Sequence, residues 1–335
     1  MSPAKRDPAA RVARVPMPEQ VLPMLATPGL LPTDDEHWSF EMKWDGVRAL
    51  VAVTSDDVRI TSRRGNDVTV RYPELHALAG KIPRGALLDG EIVAVDAKGR
   101  PSFEVLQQRM NVASGDAAAR LAARVPVVYM VFDVLWLDGR VVTGLAYTER
   151  RALLEGLDLA SPFWQTPPAH TGDGVAVRDA ATALGLEGVV AKRLDSRYEP
   201  GRRSPAWRKT KVDQRQELVV GGWLPGAGRL ESRLGSLLVG YYDDEHLLHY
   251  AGRVGSGIDE STRDRLESLV VEHARATAPF VDLPRLKGAR FVEPVLVVEV
   301  RFHEWTQAGI LRHPRYTGLR DDKDADSIVR ERVTG

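Results

Sequence analysis

Phe40-Glu41-Met42-Lys43-Trp44-Asp45-Gly46-Val47-Arg48 opens an apolar run that continues to Val53 and is typical of a β-strand. Side chains two residues apart on a strand share a face, so we expect Glu41, Lys43 and Asp45 to project together. The bulky apolar residues between them would then anchor the opposite face. On this stretch alone, a half-buried strand with a solvated polar face remains the alternative interpretation.

Gly46 and Arg48, at the end of the same stretch, make a chemical role more specific. Gly46 permits a backbone turn or the close approach of a ligand, and Arg48 adds a second positive charge. A lysine between two carboxylates, next to a glycine and an arginine, suits the chemistry of phosphates.

Length and composition bound the class of protein. The chain has 335 residues, enough for two domains, and its 43% hydrophobic and 27% charged residues are typical of a globular protein. No apolar run approaches the roughly 20 residues that span a bilayer, and the N-terminus lacks the apolar core of a secretory signal. The absence of cysteine excludes disulfides, a thiol nucleophile and cysteine-ligated zinc. We therefore expect a cytoplasmic protein.

Positive charge is concentrated in one segment although the formal net charge is zero. Between Glu187 and Arg215 there are nine Lys and Arg residues against four Asp and Glu residues. Such a segment is either a solvated face or a surface that meets phosphates.

The chain divides into a tail and two domains. Residues 1–17 are rich in Pro, Ala and Arg and are predicted to form a mobile basic tail. In residues 18–212 we predict alternating strands and helices. The predicted strands cover residues 47–53, 58–61, 86–95, 127–137, 187–192 and 207–211. The predicted helices cover residues 72–79, 103–110, 149–157 and 175–184, and an Ala-rich connection follows residue 110. In residues 213–335 short strands over 217–223, 235–242, 247–252 and 294–302 and one helix over 259–277 suggest a small barrel such as the OB-fold.

The charged residues on the predicted strands suggest an activated amine. A lysine attacks as a nucleophile only when it is deprotonated, and neighbouring cations favour that form. Carboxylates near it fit better as ligands for Mg²⁺, which also neutralises substrate phosphates. The chain contains neither a P-loop nor a Gly-x-Gly-x-x-Gly element, and its histidines lack metal-ligand spacing.

At this point the sequence resembles a known family. Lys43-Trp44-Asp45-Gly46-Val47-Arg48 matches the Lys-x-Asp-Gly-x-Arg signature of covalent nucleotidyltransferases, which include polynucleotide ligases and mRNA capping enzymes. The other motifs of that family follow in order, as Ser62-Arg63-Arg64-Gly65, Asp89-Gly90-Glu91, Phe132-Asp133 with Asp138-Gly139, Glu187-Gly188-Val189-Val190-Ala191-Lys192, Trp207-Arg208-Lys209-Thr210-Lys211, and Arg312-His313-Pro314-Arg315 followed by Arg320-Asp321-Asp322-Lys323. The resemblance covers about residues 24–323 and is greatest to bacterial ATP-dependent DNA ligases of the end-joining type, the ligase part of ligase D.

The resemblance implies an α+β fold and a set of nucleotide-binding residues. The fold would be an adenylation domain of antiparallel-rich sheets flanked by helices, followed by an OB-fold barrel. Lys43 would be the adenylated nucleophile, Glu41 would bind the adenine amino group and Phe132 would stack on the base. Arg48 and Glu91 would hold the ribose side.

The remaining implied roles concern phosphates and the metal. Arg63 would meet the 5′-phosphate of a nick, and Lys209 and Lys211 would contact the α-phosphate of ATP. Arg320 and Lys323 would orient pyrophosphate. The Mg²⁺ or Mn²⁺ ligands would be Glu187, Asp45 and Glu91. The alternative interpretations are that Phe132 is plain core and that Arg320 and Lys323 are ordinary surface charges. Asp89 and Asp133 are interpreted as structural hydrogen-bonding residues.

The implied activity is ATP-dependent sealing of DNA nicks in repair and end joining. The substrate would be nicked or broken double-stranded DNA, and the protein would be a monomer in the bacterial cytosol or nucleoid. A Ku-like end-binding protein and separate polymerase and nuclease proteins are the expected partners. A capping guanylyltransferase or RNA ligase, and a non-catalytic DNA end-binding module, remain alternatives; an NAD⁺-dependent ligase is disfavoured because cysteine is absent.

Overall fold

The computed structural model describes residues 8–97, 99–110, 112, 114–212 and 214–331, and contacts within it divide the chain into two units, one up to Val212 and one after it. Within the described ranges, no helix combines the length and apolar character needed to cross a membrane. The first seven residues of the expected tail lie outside these ranges.

The described residues of the first unit form eleven strands and four α-helices. Its strands are β1 (Leu25–Pro28), β2 (Trp38–Lys43), β3 (Val47–Val53), β4 (Val58–Ser62), β5 (Ala86–Ala94), β6 (Val127–Leu137), β7 (Arg140–Val141), β8 (Trp164–Gln165), β9 (Ala169–Thr171), β10 (Gly188–Arg193) and β11 (Arg203–Lys211). Its helices are α1 (Phe103–Met110), α2 (Gly115–Arg124), α3 (Tyr147–Glu155) and α4 (Gly174–Ala183). They form a five-stranded sheet in the order β1-β11-β10-β2-β9 and a second sheet in the order β4-β3-β5-β6-β7, with β8 paired to β6.

A shared apolar layer joins the two sheets. Leu50 of β3 and Phe132 of β6 belong to the same buried cluster as Trp207 of β11. The outer face of the five-stranded sheet is covered by α4 through Phe40 and Val177. Charged side chains on the inner face of that sheet therefore point toward the second sheet.

The stretch that contains the first motif forms two strands with a turn between them. The turn permitted by Gly46 and the strand over 47–53 are confirmed, whereas the prediction that Asp45 projects from the same strand as Lys43 is wrong. β2 ends at Lys43, the chain turns over residues 44–46, and β3 begins in the other sheet. A Cβ added at Gly46 would lie 2.2 Å from the carbonyl oxygen of Ile92, so the turn packs against β5 rather than leaving room for a ligand. Asp45 therefore lies in the crossing and does not share a strand face with Lys43.

Two further segments differ from expectation. The Ala-rich connection contains α2, whose N-cap residue Ser114 accepts a hydrogen bond from the amide of Ala117 at 3.3 Å. The segment 8–17, expected to be part of a mobile tail, packs on the first unit. Ala9 is buried, and the Trp136 indole donates to the carbonyl oxygen of Val15 at 2.9 Å.

The second unit is the expected OB-fold. Its elements are β12 (Arg215–Pro225), β13 (Leu234–Tyr242), β14 (Leu248–Val254), α5 (Glu260–Glu272), β15 (Ala274–Arg275), β16 (Arg290–Arg301), β17 (Glu304–Trp305), β18 (Leu311–Arg312) and β19 (Arg315–Leu319). β12 pairs with β13 and β16, β13 pairs with β14, and β16 pairs with β19. A parallel bridge between Ser256 and Arg315, with the Tyr316 amide donating to the Ser256 carbonyl at 2.8 Å, closes the ring of strands. β19 had not been predicted, and α5 ends before the expected residue 277.

His249 of the second unit lies between two carboxylates. Its Nδ1 is 2.9 Å from Asp282 and its Nε2 is 2.8 Å from Asp243. The hydrogen bond to Asp282 and then that to Asp243 raise the pKa of His249 above its ordinary value. Both ring nitrogens can donate only in the imidazolium form, so the charged form links the β13–β14 turn to the segment around Asp282.

We expect this link to make stability depend on pH. Because the pKa is raised in the folded state, the stabilisation is fully present below the ordinary histidine pKa of about 6.5 and is lost as pH rises through the folded value. The difference in melting temperature between the wild type and His249→Asn should therefore shrink from about pH 6 to about pH 9, measured by thermal denaturation. A difference that grows with pH would contradict this account.

Candidate active site

Lys43 lies where three strands of the five-stranded sheet come into register. It pairs with Gly188 of β10, which pairs in turn with Lys211 of β11. A Cβ added at Gly188 would lie 2.1 Å from the carbonyl oxygen of Thr210, so only glycine fits between the two lysines. Lys43 donates a hydrogen bond to Glu187, and the Lys211 Nζ lies 3.8 Å from the other carboxylate oxygen. The Glu187 side chain is 6% exposed, so one buried carboxylate holds both lysines.

Glu41 lies on the same strand face, two residues before Lys43. It accepts hydrogen bonds from the Tyr147 hydroxyl at 2.6 Å and from the Lys192 Nζ at 2.9 Å, and all three side chains are buried. Burial lowers the pKa of Lys192, whereas burial and then the charge of Glu41 raise the pKa of Tyr147. Lys209 of β11 lies in the same cross-strand row as Glu41, because both pair with the same residue of β10. The four functional positions predicted on β2 and β11 therefore share one face of this sheet.

Phe132 approaches that face from the second sheet. Its ring centroid is 4.5 Å from the Lys192 Nζ and 4.6 Å from the Arg48 guanidinium carbon. Trp207 packs edge-on at 6.2 Å. Phe132 thus belongs to the buried core and also borders the charged face, so its stacking role stays a prediction.

Arg48 is held by a buried carboxylate. Asp89 accepts from its Nε at 2.5 Å and from its Nη2 at 2.6 Å, and Asp89 also accepts from the Tyr198 hydroxyl at 2.6 Å. Burial alone lowers the pKa of Arg48, but the charge and hydrogen bonds of Asp89 outweigh it and raise the pKa above its ordinary value. The interpretation of Asp89 as a structural hydrogen-bonding residue is confirmed.

Asp133, the other acid interpreted as structural, forms a similar buried pair. The Arg150 guanidinium donates to its two carboxylate oxygens at 2.8 and 3.0 Å. Arg150 lies on α3 and Asp133 on β6, so this pair fixes the helix to the second sheet.

The remaining site residues of the first unit lie around this centre. Glu91 faces Arg48 across β3 and β5, and its charge contributes to the raised pKa of Arg48. Asp45 is 8% exposed in the turn after Lys43, and Arg63 follows β4 and is partly exposed.

Among the residues that the structure describes, no three acidic or histidine side chains form a metal-binding group. Mg²⁺ bound by one or two carboxylates together with substrate phosphates needs no such group, so Glu187 fits that kind of site.

Arg320 and Lys323 belong to the second unit and are not ordinary surface charges. Arg320 is 7% exposed and donates to Asp322 at 2.8 Å and to Glu299 at 2.9 Å. The Lys323 Nζ lies 2.7 Å from Glu217. Burial lowers the pKa of Arg320, but the charge of Asp322 outweighs it and the pKa is raised. Their action on pyrophosphate stays a prediction.

Sequence reasoning missed two residues of the centre. Lys192 lies inside a quoted motif but was given no role, and Tyr147 was not singled out at all. No spacing marks Tyr147, because its partner Glu41 is 106 positions away in the chain. Only the fold brings the pair together.

Comparisons with known proteins identify the family of this chain. A family model for the ATP dependent DNA ligase domain matches residues 23–211, and one for the ATP dependent DNA ligase C terminal region matches residues 231–323. The chain is 42% identical over 318 residues to the multifunctional non-homologous end joining DNA repair protein LigD of Mycobacterium tuberculosis, covering 93% of this chain and 40% of that protein. It is 37% identical to LigD of Pseudomonas aeruginosa, covering 98% of this chain and 39% of that protein.

A solved structure gives the same match. The structure of mycobacterial DNA ligase D complexed with ATP and MES is 41% identical, has a TM-score of 0.68, and is matched over 93% of this chain and 99% of that chain. The chain spans about two fifths of the length of the LigD relatives named above.

Proposed function

This chain belongs to the ATP-dependent DNA ligase family, and we propose that it seals nicks bearing a 3′-hydroxyl and a 5′-phosphate through an AMP group carried covalently on Lys43. The single observation that supports this most directly is the Lys43–Glu187–Lys211 cluster on one sheet face. A nucleophilic amine, one buried carboxylate and a second cation suit attack on a phosphorus centre.

In the first step the Lys43 Nζ attacks the α-phosphorus of ATP. A nitrogen–phosphorus bond forms, the bond from the α-phosphorus to the bridging oxygen breaks, and pyrophosphate leaves. The ammonium must lose a proton to solvent before it can attack, and the hydrogen bond to Glu187 holds the Nζ in place. Lys209 and Lys211 would stabilise the negative charge that develops on the phosphoryl oxygens.

Two further displacements complete the reaction. An oxygen of the nick's 5′-phosphate attacks the phosphorus of the lysyl-AMP, and the nitrogen–phosphorus bond breaks. The 3′-hydroxyl then attacks the activated 5′-phosphorus, a phosphodiester bond forms, and AMP leaves. ATP is consumed as the donor of AMP.

Mg²⁺ or Mn²⁺ is proposed as the metal. Glu187 would hold it together with the substrate phosphates, and the ion would neutralise the charge of the carboxylate and of the phosphates. Lys209 and Lys211 lie on the same sheet face as Lys43 and would keep the α-phosphate oriented.

Double-stranded DNA is the proposed macromolecular substrate. The basic segment 192–211 and the OB-fold would contact its phosphates, so binding should weaken steeply with salt. Because the LigD relatives are named as non-homologous end joining proteins, we propose a role in end joining in the bacterial cytosol, with a Ku-like partner and separate end-processing proteins.

The test compares nucleotides and nucleic acids. We expect label from α-labelled ATP with Mg²⁺ to stay on the denatured protein, and label from GTP not to do so. The labelled protein should seal nicked DNA in preference to nicked RNA. Labelling by GTP would favour a capping enzyme, sealing of RNA alone would favour an RNA ligase, and no labelling by any nucleotide would favour a binding module. The family matches do not favour these alternatives.

A further inference from the structure

Helix α3 connects the two sheets of the first unit beside the predicted base site. Its first residue, Tyr147, donates to Glu41 on β2 at 2.6 Å. Near the end of its first turn, Arg150 donates to Asp133 on β6, the residue after Phe132. The helix therefore ties the strand that contains Glu41 to the strand that contains Phe132.

The Glu41 carboxylate is fully oriented by this arrangement. Tyr147 donates to Oε1, the Lys192 Nζ lies 2.9 Å from both carboxylate oxygens, and the Ser39 hydroxyl lies 3.3 Å from the Tyr147 hydroxyl. Each carboxylate oxygen has two lone pairs, so the group can still accept a hydrogen bond after both donors are bound. Burial and then the charge of Glu41 raise the pKa of Tyr147, so its hydroxyl keeps its proton and acts as a donor to Glu41.

We propose that Tyr147 is a positioning residue for nucleobase selectivity, which it exerts by fixing Glu41 as the acceptor for the exocyclic amino group of adenine. This inference rests on the proposed function, since it concerns the nucleotide that loads Lys43. A buried carboxylate attracts an amino donor and repels the carbonyl oxygen that guanine has at the same position. If the carboxylate is free to rotate, both the attraction and the repulsion weaken.

The test uses Tyr147→Phe, which removes the hydroxyl and keeps the ring. Rates of covalent labelling are measured against the concentrations of ATP, GTP and purine ribonucleoside triphosphate, which lacks the amino group. We expect the KM for ATP to rise about tenfold, the rate at saturating ATP to change by less than about twofold, and the preference for ATP over each other nucleotide to fall about tenfold.

Tyr129→Phe is the matched control. Tyr129 is also fully buried, and its hydroxyl donates to the backbone carbonyl oxygens of Ala49 and Leu88 at 3.0 and 3.1 Å. Both variants lose one buried tyrosine hydroxyl from the first unit, so thermal stability should fall in both. Only Tyr147→Phe should alter the preference among nucleotides.

A double-mutant cycle separates positioning from a merely structural effect. If Tyr147 acts through Glu41, adding Tyr147→Phe to Glu41→Gln should change the ATP preference by less than about twofold. Full additivity of the two changes, or a slower rate at saturating ATP with the preference unchanged, would overturn the inference. Absence of covalent labelling in the wild type would instead overturn the proposed function, so the two failures are distinguishable.

Discussion

Lys43→Ala is expected to lose ATP-dependent nick sealing by about ten-thousand-fold or more, because the proposed nucleophile is removed and AMP has no amine to attach to. A nick that already has AMP on its 5′-phosphate bypasses that step. The same variant should therefore seal the pre-adenylated nick at a rate within about tenfold of the wild type. Gel assays of both substrates measure the two rates.

Two controls make this result specific to the Lys43 amine. Lys81→Ala removes an exposed lysine of the same unit and should leave both rates unchanged. Lys43→Arg keeps the positive charge beside Glu187, but a guanidinium is not deprotonated in proteins, so this variant should also fail with ATP. Normal sealing with ATP by Lys43→Arg would mean that another group attacks the phosphorus.

Asp89→Ala is expected to lower the free energy of unfolding by about 3–5 kcal/mol, because it leaves a buried guanidinium without its partner. Asp89 is 0% exposed and accepts two hydrogen bonds from Arg48 and one from the Tyr198 hydroxyl. Arg48 would also lose the contact that holds it beside the Phe132 ring, so ATP affinity should fall. Urea denaturation and the ATP dependence of labelling measure the two effects.

An exposed ion pair provides the control for this second prediction. Asp179 pairs with Arg178 at 2.8 Å, and its side chain is 65% exposed. Asp179→Ala should change stability by no more than about 0.5 kcal/mol, as is usual for solvated pairs. Equal losses in the two variants would mean that burial of the Arg48–Asp89 pair has no energetic consequence.

Local patterns in the sequence were sufficient for much of the fold. Alternation and apolar runs located the long strands β5 and β6 and the first strands of the OB-fold. The spacing of Glu41 and Lys43 correctly placed them on one strand face. The prediction failed for Asp45, because the strand ends at Lys43. The crossing that follows depends on Gly46 packing against Ile92, and that contact involves a distant strand.

The parts of the site that were missed depend on contacts between distant residues. Asp89 could be interpreted as structural, but its pairing with Arg48 follows only from the fold. Tyr147 and Lys192 converge on Glu41 from α3 and β10, so no local period indicates them. The family resemblance implied the chemistry of Lys43 and Glu187, and the structure shows that the two side chains are in contact.

The most direct measurement of the central claim is peptide mapping by mass spectrometry after wild-type protein is incubated with ATP and Mg²⁺ and then denatured. The account predicts the mass of one AMP group on the peptide that contains Lys43, with fragmentation placing it on that lysine, and its release when nicked DNA is added before denaturation. An unmodified Lys43 peptide, or AMP attached to another residue and still transferred to DNA, would contradict it.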